Sequence, residues 1–231
     1  MNDAESLKRD AAEAAIDAEV RSGMALGLGT GSTARWLLEG LGARLADGRL
    51  SELIGVPTSE HTAARCRELG IPVTGLDVRP ALDVAIDGAD EIAPGLALIK
   101  GLGGAHLREK VVACAAARFV VVADSSKLVS SLGDKAPLPV EVVTFAEPVC
   151  RRLLAGAGWQ PELRMRDGAA WVTDEGNHIL DCRRADWSDP DALAAGLAAI
   201  PGVVAHGLFL GIASAAYVAG DVGVEVITVS A

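Results

Sequence analysis

Aromatic side chains are scarce in this sequence: Phe, Tyr and Trp together make up 3% of it. Recognition of single-stranded nucleic acid leans on such rings as stacking platforms. Positive charge is short as well, with 21 Lys and Arg against 31 Asp and Glu, a formal net charge of −10 and a pI near 4.9. Phosphate backbones call for a basic footprint, so no nucleic acid partner is expected. A small phosphorylated metabolite is not excluded, because donors in contact with an anion outweigh a distant net charge.

Clustered metal ligands and long apolar runs are missing too. Cys66, Cys114, Cys150 and Cys182 lie far apart with no C-x-x-C pair, which gives neither a zinc pattern nor a disulfide framework. They read as reduced thiols in a cytoplasmic protein. His61, His106, His178 and His206 show no H-E-x-x-H spacing, so no metal site is expected. The opening stretch MNDAESLKRDAAEAAI is charged and lacks a signal-peptide apolar core. No apolar run is long enough to span a bilayer, and no membrane partner is expected.

What is present is a hydrophobic half, rich in Ala, Val, Leu and Gly, in a chain of 231 residues. That length holds one large domain or two small ones with a real core. The organising stretch is LDVAIDGADEIAPGLALIKGLGGAHLREK, residues 82–110. A short apolar run at 82–86 reads as a buried strand and meets a turn carrying Asp87, Gly88, Ala89, Asp90 and Glu91. A second run, 96–99, delivers Lys100 into Gly101-Leu102-Gly103-Gly104. A helix follows, with Arg108, Glu109 and Lys110 one turn in. Singly, Asp-Gly is turn chemistry, a glycine run is punctuation, and Arg-Glu-Lys is a solvated helix face. Together, each near a strand end, they point to a site, since ligand crevices in open α/β sheets lie beyond the carboxyl ends of the strands.

Earlier in the chain, residues 4–20 read as a helix bearing Lys8 and Arg9, whose spacing favours solvation. A strand at 24–28 runs through Gly27-Leu28-Gly29-Thr30-Gly31-Ser32-Thr33 into the next helix. Glycines there let the backbone approach an anion, the helix start offers free N–H groups, and Ser32 and Thr33 add hydroxyls. The G-K-[ST] ending of a nucleotide-binding P-loop is absent, and Ser32 stands where a dinucleotide fingerprint wants its third glycine. A monophosphate fits better, although a simple helix cap remains open. Strands are expected at 51–56 and 71–76, with Ser59 capping the helix between them. A further strand at 119–123 ends in Asp124-Ser125-Ser126-Lys127, which places Lys127 where an anion ligand would sit.

Near Leu138 the texture changes. Prolines cluster, and short strands at 139–145, 161–166, 169–173 and 178–182 mix with helices near 147–157 and 189–199. Strand character returns at 203–210, 214–219 and 224–229, expected to rejoin the first domain or its edge. The apolar 203–219 region is a candidate contact surface.

The motifs G-L-G-T-G-S-T, D-G-A-D-E, K-G-L-G-G-A-x-L-R-E-K and A-D-S-S-K, with L-P-V-E-V, G-N-H-I-L-D and P-G-V-V-x-x-G-L-F after them, resemble the type A ribose-5-phosphate isomerase family across nearly the whole chain. Two departures are visible: Leu102 where many members have glycine, and His106 at a usually apolar position. The resemblance implies a doubly wound, Rossmann-like α/β domain (residues 1–131 and 207–231) with a small ferredoxin-like α+β domain (132–206). It implies interconversion of ribose 5-phosphate and ribulose 5-phosphate without metal or organic cofactor, in a homodimer. It carries catalytic roles to Glu109 as base and to Asp87, Asp90 and Lys100. Substrate binding falls to Thr30, Gly31, Ser32, Thr33, Asp87, Gly88, Ala89, Asp90, Lys100, Gly101, Leu102, Gly103 and Lys127, with Lys8 a secondary phosphate candidate. Residue chemistry agrees: an aldose–ketose shift needs a base between C1 and C2 and donors for the enediolate oxygen. Two alternatives stand beside it. Asp87, Asp90 and Glu91 could bind Mg²⁺ for phosphoryl transfer or hydrolysis, or the scaffold could serve as a non-catalytic sugar-phosphate sensor.

Overall fold

The computed structural model describes residues 3–229. They form two compact units: residues up to Ala89, Arg108–Lys127 and Gly211 onward in one, and Asp90–Leu107 with Leu128–Leu210 in the other.

The first unit is built on a six-stranded sheet. Its order from one edge is Ile54–Pro57, Ala25–Leu28, Val84–Asp87, Phe119–Asp124, Ala215–Gly220 and Gly223–Thr228. All neighbours are parallel except the last pair, a hairpin. Counted along the chain, the parallel strands run 2-1-3-4-5, a doubly wound order that reverses between Ala25–Leu28 and Val84–Asp87. These strands are short and buried on both faces, Phe119–Asp124 along its entire length, as a covered parallel sheet requires. The helix Ala4–Glu19 packs through Ala11, Ala12, Ala15 and Ile16, all at most 1% exposed. Small side chains let it lie close to the sheet, and Asp3 caps it by accepting the Ser6 N–H at 2.7 Å. Ser59 caps Glu60–Glu68 through the Thr62 N–H (3.1 Å). The strand expected at 71–76 is reduced to one bridge, Gly55 with Val73.

The second unit holds a four-stranded antiparallel sheet in the order Val203–His206, Leu138–Val142, His178–Arg183, Gln160–Leu163. With the helices Glu147–Gly156 and Pro190–Ala198 between its strands, this is the βαββαβ ferredoxin-like arrangement. A second, three-stranded sheet pairs Glu91–Ala93 with Ala97–Ile99 and that strand with Leu208–Phe209. Val203–His206 and Leu208–Phe209 therefore serve these two sheets, and only the final hairpin joins the parallel one. The run 203–219 expected as a contact surface is largely consumed in this way: Ala205, Leu208, Phe209 and Ala215–Ala219 are buried. Among the described residues no helix is long and apolar enough to cross a membrane.

Glu91 shows how the second unit is pinned. It is fully buried, and its carboxylate accepts the backbone N–H groups of Gly133 (2.6 Å), Lys135 (2.6 Å) and Ala136 (2.7 Å). Removing the acceptor strands those donors, and unmade buried hydrogen bonds cost more than made ones gain. Glu91→Ala is expected to lose about 2 kcal/mol or more of stability, seen as a lower melting temperature. An unchanged melt would contradict this anchoring role.

Candidate active site

In the first unit the two loops at the strand-order reversal meet. Asp87 ends the Val84–Asp87 strand and is 4% exposed. Its Oδ1 accepts the Thr30 N–H at 3.0 Å and the Gly88 N–H at 2.7 Å. This is possible because residue 29 is glycine: a Cβ there would stand 2.0 Å from Asp87 Oδ1 and 2.3 Å from its Cγ. The sequence shows Gly29 within a flexible lead-in, but not that a carboxylate lies on it.

Thr30 is then fixed from both sides. Its Oγ1 lies 2.7 Å from Thr58 Oγ1, 2.8 Å from Ser59 Oγ and 3.0 Å from Thr62 Oγ1. Thr58 and Thr62 in turn donate to the carbonyls of Leu28 (3.1 Å) and Gly29 (3.0 Å). Ser59 is thus both a cap and a member of this hydroxyl cluster, which composition alone did not reveal. Gly31 precedes the helix Ser32–Ala46 with φ of 114° and no side-chain cap, so the helix start presents backbone N–H groups and the exposed Ser32. Thr33 is buried beside Gly88, whose Cβ position lies 3.8 Å from Thr33 Cβ. Ala89 follows, half-buried.

Glu109 lies one turn into the helix His106–Ala115 and is 4% exposed. Arg108 pairs with Glu60 at 2.9 Å, and burial pushes the Lys110 ammonium down to about 8. Lys127 ends the short 3-10 turn Ser125–Lys127 after the Phe119–Asp124 strand. Lys8 is ion-paired to Glu5 on its own helix (2.8 Å).

The second unit carries the remaining expected residues. Asp90 donates its N–H to Ile99 O (2.8 Å) and accepts the Leu102 N–H on Oδ2 (2.9 Å). Lys100 is 3% exposed, with its N–H on Gly207 O (2.9 Å) and its ammonium 5.5 Å from the Phe209 ring centre. The following turn, Gly101–Gly104, is closed by Gly104 N–H to Gly101 O at 2.9 Å. Gly101 has φ of 105°, and a Cβ there would meet His106 Cβ at 2.6 Å. Glycine is required twice over, by the left-handed backbone and by the buried imidazole beneath. Leu102 and Gly103 are exposed. His106 Nε2 lies 3.8 Å from Glu141 Oε2, and Glu141 also accepts from Thr173 (2.9 Å) and Asn177 (3.0 Å). The unusual histidine therefore belongs to a buried polar cluster under the turn.

The Mg²⁺ alternative loses its third ligand here, because the carboxylate of Glu91 is already committed to three N–H groups. Among the described residues no group of three His, Cys, Asp or Glu side chains could hold a metal ion.

Known proteins resemble this chain in sequence and fold. Residues 54–223 match the family model of ribose 5-phosphate isomerase A (phosphoriboisomerase A). The ribose-5-phosphate isomerase A of Roseiflexus castenholzii is 64% identical over 218 residues, covering 94% of this chain and 93% of that protein. A solved D-ribose-5-phosphate isomerase in complex with phospho-erythronic acid is 38% identical, with a TM-score of 0.95 over 99% of this chain and all of its own. The ribose 5-phosphate isomerase of Plasmodium falciparum superposes with a TM-score of 0.94 at 35% identity, covering 97% of this chain and 98% of its own. With agreement of sequence and fold along nearly the whole length, the chain belongs to the ribose 5-phosphate isomerase A family.

Proposed function

We propose that this chain interconverts D-ribose 5-phosphate and D-ribulose 5-phosphate, the aldose–ketose isomerisation of the non-oxidative pentose phosphate pathway. The observation that supports it best is a pair of carboxylates in one unit, Asp87 and Glu109, each 4% exposed and each on a motif of the family. A carboxylate held out of water at a strand end or in the first turn of a helix suits proton transfer. The sensor alternative gains nothing from the family relation.

Glu109 is the general base, moving the proton between C1 and C2 through an enediolate. Such a base contributes about 10²–10⁴-fold, so donors to the developing oxyanion carry much of the rest. Lys100 and the N–H groups of Gly101, Leu102 and Gly103 take that part. Asp87 and Asp90 handle ring opening and the sugar hydroxyls. Thr30, Gly31, Ser32, Thr33, Gly88, Ala89 and Lys127 hold the substrate, with the phosphate toward the helix start at Ser32, where N–H groups and the dipole favour an anion. Lys8, already paired with Glu5, is a secondary phosphate contact. The reaction uses no metal or organic cofactor. The solved relative with phospho-erythronic acid fits this scheme, since a carboxylate resembles a planar, negatively charged enediolate.

The enzyme acts in the cytoplasm as a homodimer. A mass of one chain alone by light scattering at micromolar concentration would contradict the dimer.

Glu109→Gln keeps the size of the side chain and removes the proton acceptor. With ribose 5-phosphate as substrate, kcat is expected to fall by about two to four orders of magnitude while substrate affinity changes little. A well-folded variant keeping more than roughly a tenth of wild-type kcat would transfer the role to Asp87.

A further inference from the structure

The turn Gly101–Gly104 is gripped from one side by a single residue that the scheme above leaves out. Arg164 follows the Gln160–Leu163 strand and donates from Nη1 to the carbonyls of both Gly101 and Leu102, each at 3.0 Å. Its other edge is locked by Asp181 on the His178–Arg183 strand, Nε to Oδ2 at 2.8 Å and Nη2 to Oδ1 at 2.5 Å. The guanidinium side chain is 11% exposed and the carboxylate 22%. A two-point Arg–carboxylate fork fixes the plane of the guanidinium as well as its position. Arg164 cannot turn without breaking four hydrogen bonds.

What this does to the turn follows from amide geometry. In a planar trans peptide the C=O and the N–H point in opposite directions. Drawing the Gly101 carbonyl onto Arg164 turns the Leu102 N–H away from it, and that N–H reaches Asp90 Oδ2 at 2.9 Å. Drawing the Leu102 carbonyl the same way turns the Gly103 N–H outward. Gly103 is exposed, and a Cβ there would meet nothing within 4 Å, so there is room beside this turn for a ligand. The Gly101–Leu102 peptide is also held by the Gly104 N–H on the Gly101 carbonyl and by Asp90 on the Leu102 N–H. The Leu102–Gly103 peptide, by contrast, could flip without the guanidinium, since glycine on one side opposes no backbone rotation.

We propose that Arg164, locked by Asp181, is a positioning residue for the isomerisation. It holds the Leu102 N–H on Asp90 and the Gly103 N–H outward as a preset donor to the enediolate oxygen. Arg164 itself touches no substrate. The inference rests on the isomerase reading given above, and it adds a residue that the motif comparison did not single out.

Steady-state kinetics on ribose 5-phosphate test it, with melting curves for each variant. Arg164→Ala is expected to lower kcat by about 10²-fold, the size of one lost oxyanion donor, with KM changed less than about threefold. A purely structural role would lower the melting temperature and leave the kcat of the folded fraction alone. Arg164→Lys should fall between wild type and Arg164→Ala, because an ammonium cannot span two carbonyls and the Asp181 fork together. Should Arg164→Ala fail to fold, Arg164→Lys and Asp181→Asn carry the test, each expected to lose kcat with KM held. A folded Arg164→Ala within about threefold of wild-type kcat, or one whose KM rises while kcat holds, overturns the proposal. Kcat within about twofold of wild type in both Arg164→Lys and Asp181→Asn does the same. Absence of wild-type turnover removes the isomerase reading and this inference with it, whereas wild-type turnover with an unaffected Arg164→Ala removes this inference alone.

Discussion

The contact on which the first unit's site depends is a carboxylate resting on a glycine backbone. Asp87 can accept the Thr30 N–H only because Gly29 offers no Cβ. That bond ties the loop after one central strand to the loop after its neighbour, at the point where the strand order reverses. Charge-assisted hydrogen bonds of this kind are stronger than neutral ones, and the hydroxyls of Thr58, Ser59 and Thr62 close round Thr30 from the other side. The helix start at Ser32 inherits its place from this arrangement. One glycine and one aspartate thus set where the start of the helix Ser32–Ala46 stands relative to a buried acid.

The second unit solves a related problem with other means. Its donor-bearing turn, Gly101–Gly104, has little bulk of its own and is shaped from outside: by His106 beneath Gly101, by Arg164 on two carbonyls and by Asp90 on an N–H. Glu91 and Glu141 are buried and spent on backbone or side-chain donors of the protein. Buried polar groups of this kind are tolerated because they are satisfied.

Much of this could be read from the chain alone, for reasons tied to particular residues. Apolar runs at 24–28, 82–86 and 119–123 are recognisable as strands of a parallel sheet because both their faces are buried. The loops after them were the natural places for a site. The hidden part depended on distant partners. Glu91 sat in an acid-rich turn and looked like a ligand, because nothing local tells that residues 133–136 will surround it. Arg164 lay in an unremarkable stretch, and its link to Gly101 spans more than sixty positions. Strand 71–76 shrank to one bridge, Val73 beside Gly55. The run 203–210 was strand-like as expected, but its partners were the small sheets of the second unit.

The central claim is that a proton, taken up by Glu109, moves between C1 and C2. It is tested most directly by letting the enzyme equilibrate ribose 5-phosphate and ribulose 5-phosphate in D₂O and following the C1 and C2 protons by NMR. A carboxylate that holds the proton exchanges it with solvent in some fraction of turnovers, so the account predicts deuterium accumulating at C2 of the aldose and C1 of the ketose. Full interconversion over many turnovers with no deuterium at either carbon would show direct hydride transfer and contradict it.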